Sequence, residues 1–137
     1  MTYDEWEAGV PGAVKAEPVW KFAGYRKALF LSELLWLDTD AWLSDPRGRA
    51  NAQQIVSSIG SISANIEEGF GRGYGKQLLQ FYTYALASAR ESKGWFFRSR
   101  RFLSPESLSH RLGLCDEIIA LLIDELNRQR RRLPPGR

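Results

Sequence analysis

The chain has 137 residues, with 44% hydrophobic and 26% charged side chains, one cysteine and a formal charge of +3. That is the composition of one ordinary globular domain, and it excludes a disordered tail protein and an internally disulfide-stapled scaffold. No apolar run approaches the roughly 20 residues that a membrane helix needs, and the acidic start (Asp4, Glu5, Glu7) does not suit a secretory signal, so a cytoplasmic protein without a membrane role is expected.

Residues 1–17 hold Gly9, Pro11 and Gly12 with little apolar periodicity and are expected to form an irregular lead-in. A first helix is expected from about Pro18, a residue tolerated in a first turn because its missing amide has no helical partner there. Phe22, Tyr25, Leu29, Ser32 and Trp36 then step by three and four, the spacing of one helical face, with Leu34, Leu35 and Leu37 widening it. Asp45-Pro46-Arg47-Gly48 is turn chemistry.

A second helix is expected over about 49–69, with Ile55, Ile59, Ile62 and Ile66 on its inner stripe and Phe70 continuing it. Gly60 costs about 1 kcal/mol relative to Ala in a helix interior, which predicts a close backbone approach there. The glycine-rich run Gly69 to Gly75 stops this helix. A third helix, over about 75–102, carries Leu78, Tyr82, Ala85, Ala89, Ser92 and Phe96 inside, and Lys76, Gln80, Thr83, Arg90, Arg98 and Arg101 outside. Ser104 is a good N-cap before Pro105 and Glu106. The fourth helix repeats Leu108, Leu112, Cys115, Ile119, Leu122 and Leu126 and fades into Arg128, Arg130, Arg131 and Arg132. Four amphipathic segments without a strand pattern predict an all-α antiparallel up-down-up-down four-helix bundle over 18–132, followed by a tail at 133–137.

The block Ile59-Gly60-Ser61-Ile62-Ser63-Ala64-Asn65-Ile66-Glu67-Glu68-Gly69-Phe70-Gly71-Arg72, followed by Phe81, Ala85, Ser88 and Glu91, resembles a four-helix-bundle protein family. That family includes proteins encoded in intervening sequences of bacterial large-subunit ribosomal RNA genes. The accessory variability protein of diversity-generating retroelements is a more distant relative. The similarity runs from Val19-Trp20 to about Leu126. It implies a left-handed bundle that assembles as a homo-oligomer, often a five-fold ring. The retroelement relatives bind a reverse transcriptase and nucleic acid through a basic surface. Ser63 stands where the family often has proline, Glu67 where it has a small residue, and Tyr74 where a capping serine is frequent.

Asn65, Glu68 and Arg72 share one face beside Gly69 near the end of the second helix. They read either as a binding or assembly site or, preferably, as a polar clamp on the following turn. The glycine run lacks the Lys-Ser/Thr ending of a phosphate loop and leaves a helix C-terminus, although Arg72 and Lys76 remain near the next helix start. His110 is the only histidine, Cys115 lies on the apolar stripe, and adjacent acidic pairs diverge by about 100° on a helix, so no catalytic, metal or cofactor residue is assigned.

Charge divides along the chain. Residues 1–68 hold six Lys/Arg against ten Asp/Glu, and residues 69–137 hold thirteen against six. Arg72, Lys76, Arg90, Lys93, Arg98, Arg100, Arg101, Arg128, Arg130 and Arg131 are the candidate nucleic-acid residues, with Arg111 nearby and Trp95 and Phe97 able to stack on bases. The surplus aromatics Trp20, Trp36, Trp42, Trp95 and Phe97 point to a protein interface. The expectation is a non-enzymatic homo-oligomeric scaffold that binds RNA or DNA. The other reading is a scaffold for a protein partner, a reverse transcriptase among the candidates.

Overall fold

Side-chain caps from Thr2, Asp45 and Ser104 open three of the helices. In the computed structural model, which describes residues 1–73 and 75–134, the Thr2 hydroxyl accepts from the Glu5 amide and Glu5 accepts from the Thr2 amide, both at 3.2 Å. This reciprocal pair opens α1 (Tyr3–Ala8). A single turn, α2 (Gly12–Lys15), follows. The expected irregular lead-in is therefore corrected to two short helices. The first is held by that capping pair and by packing of Tyr3 and Trp6 on Phe30, with ring centroids 5.5 Å apart in both cases, and the second packs on the 3₁₀ turn that follows it.

Pro18–Lys21 form a 3₁₀ turn rather than the start of the first long helix. Phe22 is extended, which lays its ring parallel to Tyr82 at 5.8 Å, and α3 (Ala23–Asp40) starts only after it. Asp45 accepts from the Arg47 amide at 2.8 Å and Pro46 takes the first helical position, so α4 (Pro46–Gly71) begins earlier than expected. The third helix ends sooner than expected: α5 is Lys76–Arg98, and Arg100–Phe102 form a separate 3₁₀ turn. Ser104 caps α6 (Pro105–Arg131) by accepting from the Ser107 amide, at the expected restart. Tyr74 and the tail residues 135–137 lie outside the described residues.

All described residues in regular structure are helical. Each of the four long helices packs on two of the others: α3 on α4 and α6, and α5 on α4 and α6. The isoleucine stripe of α4 and the six expected inner residues of α5 are buried. So are Cys115, Ile119, Leu122 and Leu126 of α6, with Leu108 and Leu112 partly buried against the same core. Each fully buried isoleucine contributes about 1.5–3 kcal/mol of transfer free energy.

α3 departs from its expected face. Tyr25, Ala28, Leu31, Leu34 and Leu35 are buried, whereas Trp36 is 72% exposed and Leu37 is also exposed. The apolar residues of α3 nearly encircle it, so spacing alone does not select the inward side. Two glycine expectations also change. Gly60 is exposed and a Cβ there would meet nothing within 4 Å. The close approach falls instead at Gly69, where a Cβ would sit 2.8 Å from the Tyr82 ring, and at Gly48, where it would strike the Trp42 carbonyl. Gly69 takes the inward position expected of Phe70, which is exposed.

Polar links tie the helices together. Tyr25 donates to Glu67 at 2.6 Å, Ser92 donates to Ser58 at 3.0 Å, and Lys93 pairs with Asp116 at 2.7 Å. Burial, and then the Glu67 hydrogen bond, push the Tyr25 phenol well above its ordinary pKa. Arg111 forms a two-pronged pair with Asp38 at 2.7 and 2.8 Å, with the side chains only 12% and 9% exposed. No described helix is long and apolar enough to cross a membrane.

Candidate nucleic-acid interface

Burying the stripe from Leu78 to Phe96 turns the opposite side of α5 to water. Lys76, Arg90 and Arg98 stand exposed there, and Arg100 and Arg101 extend the charge onto the 3₁₀ turn. The Arg98 guanidinium lies 4.7 Å from the Trp95 ring centroid, and Arg100 lies 4.4 Å from Phe97. Arg100 also donates to the Phe97 carbonyl at 3.0 Å, while Trp95 donates to Glu91 at 3.0 Å. The two aromatics expected to receive bases thus already carry arginines on their faces, an arrangement that holds planar cations pointing outward.

The other candidate cations divide into separate groups. Lys93 is committed to Asp116, and Arg128 donates twice to Glu125 at 3.0 Å. Arg130 donates to Asn127 at 3.3 Å, and Arg131 is exposed at the end of α6. Arg111, expected beside the basic surface, is instead neutralised by Asp38 inside the fold. Lys76 and Arg128 line a common cavity, so the start of α5 shares its surroundings with the end of α6. The Arg98–Arg101 cluster lies at the far end of α5, about 33 Å away at 1.5 Å per residue. The basic residues therefore make two patches.

At the end of α4, Arg72 pairs with Glu68 at 2.8 Å on an exposed surface, and its guanidinium lies 5.3 Å from the Phe81 ring. Asn65 donates to the Ser61 carbonyl of its own helix at 2.8 Å, so it does not clamp the turn. At this end of the helices, α4 and α5 are joined by Gly69 under Tyr82 and by Arg72 over Phe81.

Two of the surplus aromatics are absorbed internally. Trp42 is fully buried against Phe102 at 5.8 Å, and its indole N–H has no hydrogen-bond partner among the described residues. Trp20 packs beside Trp6 at 6.0 Å. Trp36 remains outside. With Leu35, Leu43, Ala52 and Val56 it lines an apolar groove of about 520 Å³ between α3 and α4. Sequence reasoning missed Leu43 and Val56. Their signal was apolar residues at positions off the inner stripe, 49% and 51% exposed.

The Cys115 thiol is buried, and desolvation followed by the nearby Asp116 charge pushes its pKa up to about 12. Partial burial, and then the Arg111 charge, hold the His110 imidazole below its usual value. Among the described residues no three His, Cys, Asp or Glu side chains gather at metal-binding spacing.

Residues 21–124 match the family model described as 23S rRNA-intervening sequence protein. No curated protein sequence matches the chain. A crystal structure of a protein of unknown function from the S23 ribosomal protein family of Bacteroides thetaiotaomicron is similar in fold. The TM-score is 0.70 at 22% identity, covering 76% of this chain and 95% of that one.

Proposed function

The chain belongs to the 23S rRNA-intervening sequence protein family, and from that premise we propose a non-enzymatic, self-associating scaffold that holds RNA or DNA on the outer face of α5. The observation that carries this reading is the Arg90, Arg98, Arg100 and Arg101 surface. The Glu91 carboxylate beside it is occupied by the Trp95 indole. Guanidiniums positioned over aromatic rings, as Arg98 and Arg100 are, reach phosphates with little ordering cost, and phosphate contacts supply most of the affinity in sequence-independent binding.

The framework we propose is an antiparallel, up-down-up-down, left-handed four-helix bundle. Supporting the alternating direction, Tyr25 near the start of α3 meets Glu67 near the end of α4. Asn51 near the start of α4 likewise donates to Ser99 just past the end of α5, at 3.0 Å. Self-association, in a ring of five in our reading, is supported by the apolar groove around Trp36, a surface that is costly to leave hydrated. Repeating the α5 face around such a ring multiplies the positive field without any dedicated pocket. The second reading, a scaffold for a protein partner alone, draws on the same groove.

Fluorescence anisotropy with labelled, 5′-hydroxyl single-stranded RNA and DNA across a salt series separates the two. Binding should weaken steeply with salt. Replacing Arg98, Arg100 and Arg101 together with alanine should lower the slope of log K against log salt by about one unit per lost phosphate contact. Absence of binding at low salt would leave the protein-only scaffold.

A further inference from the structure

Where the start of α5, the end of α6, the end of α4 and the 3₁₀ turn before α3 meet, they border an open cavity of about 1040 Å³. Its size is at the upper end for small-molecule sites. Lys21, Lys76, Arg128 and Arg132 line it, together with Phe22 and Phe70. Lys21, Lys76 and Arg132 make no ion pair among the described residues, whereas Glu125, the one carboxylate in the wall, is held by Arg128 and Gln129. The cavity thus combines an excess of positive charge with aromatic surface, and no side chain among the described residues caps the first turn of α5 that opens onto it.

We propose that this cavity binds a nucleoside 5′-phosphomonoester, its base against Phe22 and Phe70 and its phosphate among Lys21, Lys76 and Arg132. A dianionic phosphate balances two cations where a single carboxylate balances one, and arginine matches phosphate oxygens in pairs. The aromatic wall accepts a base of any identity because every base offers a flat face. The same chemistry is presented by a free nucleoside monophosphate and by the 5′-phosphorylated end of a strand. Of the α5 outer face this site uses Lys76 alone; Arg98 and the Arg100–Arg101 turn lie at the other end of that helix.

Isothermal titration calorimetry of the full chain with AMP, adenosine and inorganic phosphate tests the assignment. AMP should bind at least tenfold more tightly than either fragment. Lys21→Ala and Lys76→Ala, both at exposed positions, should each weaken AMP about tenfold, while Arg98→Ala leaves it unchanged. Equal binding of AMP and adenosine would overturn the site, as would indifference to both lysine changes or an equal loss in Arg98→Ala. A 5′-phosphorylated RNA that outcompetes its 5′-hydroxyl twin in the wild type but not in Lys76→Ala identifies the strand end as the source. Equal binding of the two RNAs, with AMP still bound, identifies the free nucleotide. AMP binding survives a failure of the α5 reading, and 5′-hydroxyl RNA binding that depends on Arg98 survives a failure of this one.

Discussion

The outer face of α5 and the groove between α3 and α4 are both exposed, yet they differ in what exposure costs. Arg90 and Arg98 on α5, with Arg101 on the turn after it, are well hydrated when nothing is bound, and in the proposed role they act when a polyanion trades its counterions for them. Trp36, Leu43 and Val56 hold water against apolar surface and gain from any cover that excludes it. The contrast teaches that one small helical fold can present two chemically different surfaces, one cationic and one an apolar groove. The proposed nucleic-acid contact at the cationic face should answer to salt, and the proposed assembly through the groove to protein concentration.

The largest expected effect separates the groove from the core beneath it. Ile59 lines the groove but is fully buried, whereas Val56 is half exposed, so Ile59→Ala should destabilise folding by about 3 kcal/mol and Val56→Ala should change it by under about 0.5 kcal/mol. Urea denaturation of both variants checks this, and equal losses would mean that the groove rim is part of the core. Next, Trp36→Ala should weaken self-association about tenfold or more while leaving monomer stability nearly unchanged. Sedimentation velocity over a concentration series reads the shift, and an unaltered distribution would take the groove out of the interface. On the other face, Arg98→Ala alone should lower the salt slope of nucleic-acid binding by about one unit without affecting assembly. A parallel loss of assembly would merge the two faces into one.

The smallest effect is acid sensitivity at the start of α4, the helix that forms one wall of the groove. The Arg47 side chain, and then its amide, hold the Asp45 carboxyl at about 2, below its ordinary value near 3.8. A depressed pKa stabilises the fold above the unfolded value and loses that contribution as pH falls from about 4 through about 2. Asp45→Asn should therefore flatten the acid limb of the stability curve slightly in that window, which thermal melts between pH 2 and 5 would detect.

The inner stripe of α4 was legible because mostly small or polar residues flank it, and that of α5 because Lys76, Arg90 and Arg98 mark the opposite side. On α3, Leu34 to Leu37 are four consecutive large apolar residues, and only the shapes of α4 and α6 decide which of them face in. The Thr2 and Glu5 capping pair was visible in the sequence but was overshadowed by the glycines and proline that follow. At the candidate interface, the cationic character of α5 was readable from spacing. The removal of Arg111 by Asp38, 73 residues away, was not, because such a pairing exists only once the chain has folded. Likewise the gathering of Lys21, Lys76 and Arg132 around one cavity joins three distant segments.

The lone sulfhydryl of Cys115, sealed among α6's inner side chains and hard to ionise, leaves the surface chemically silent toward maleimides and iodoacetamides. A second cysteine introduced at position 36 or 98 would then be the single reactive handle on the molecule. Dyes or spin labels could report separately on the apolar and cationic faces without any need to strip out the native thiol.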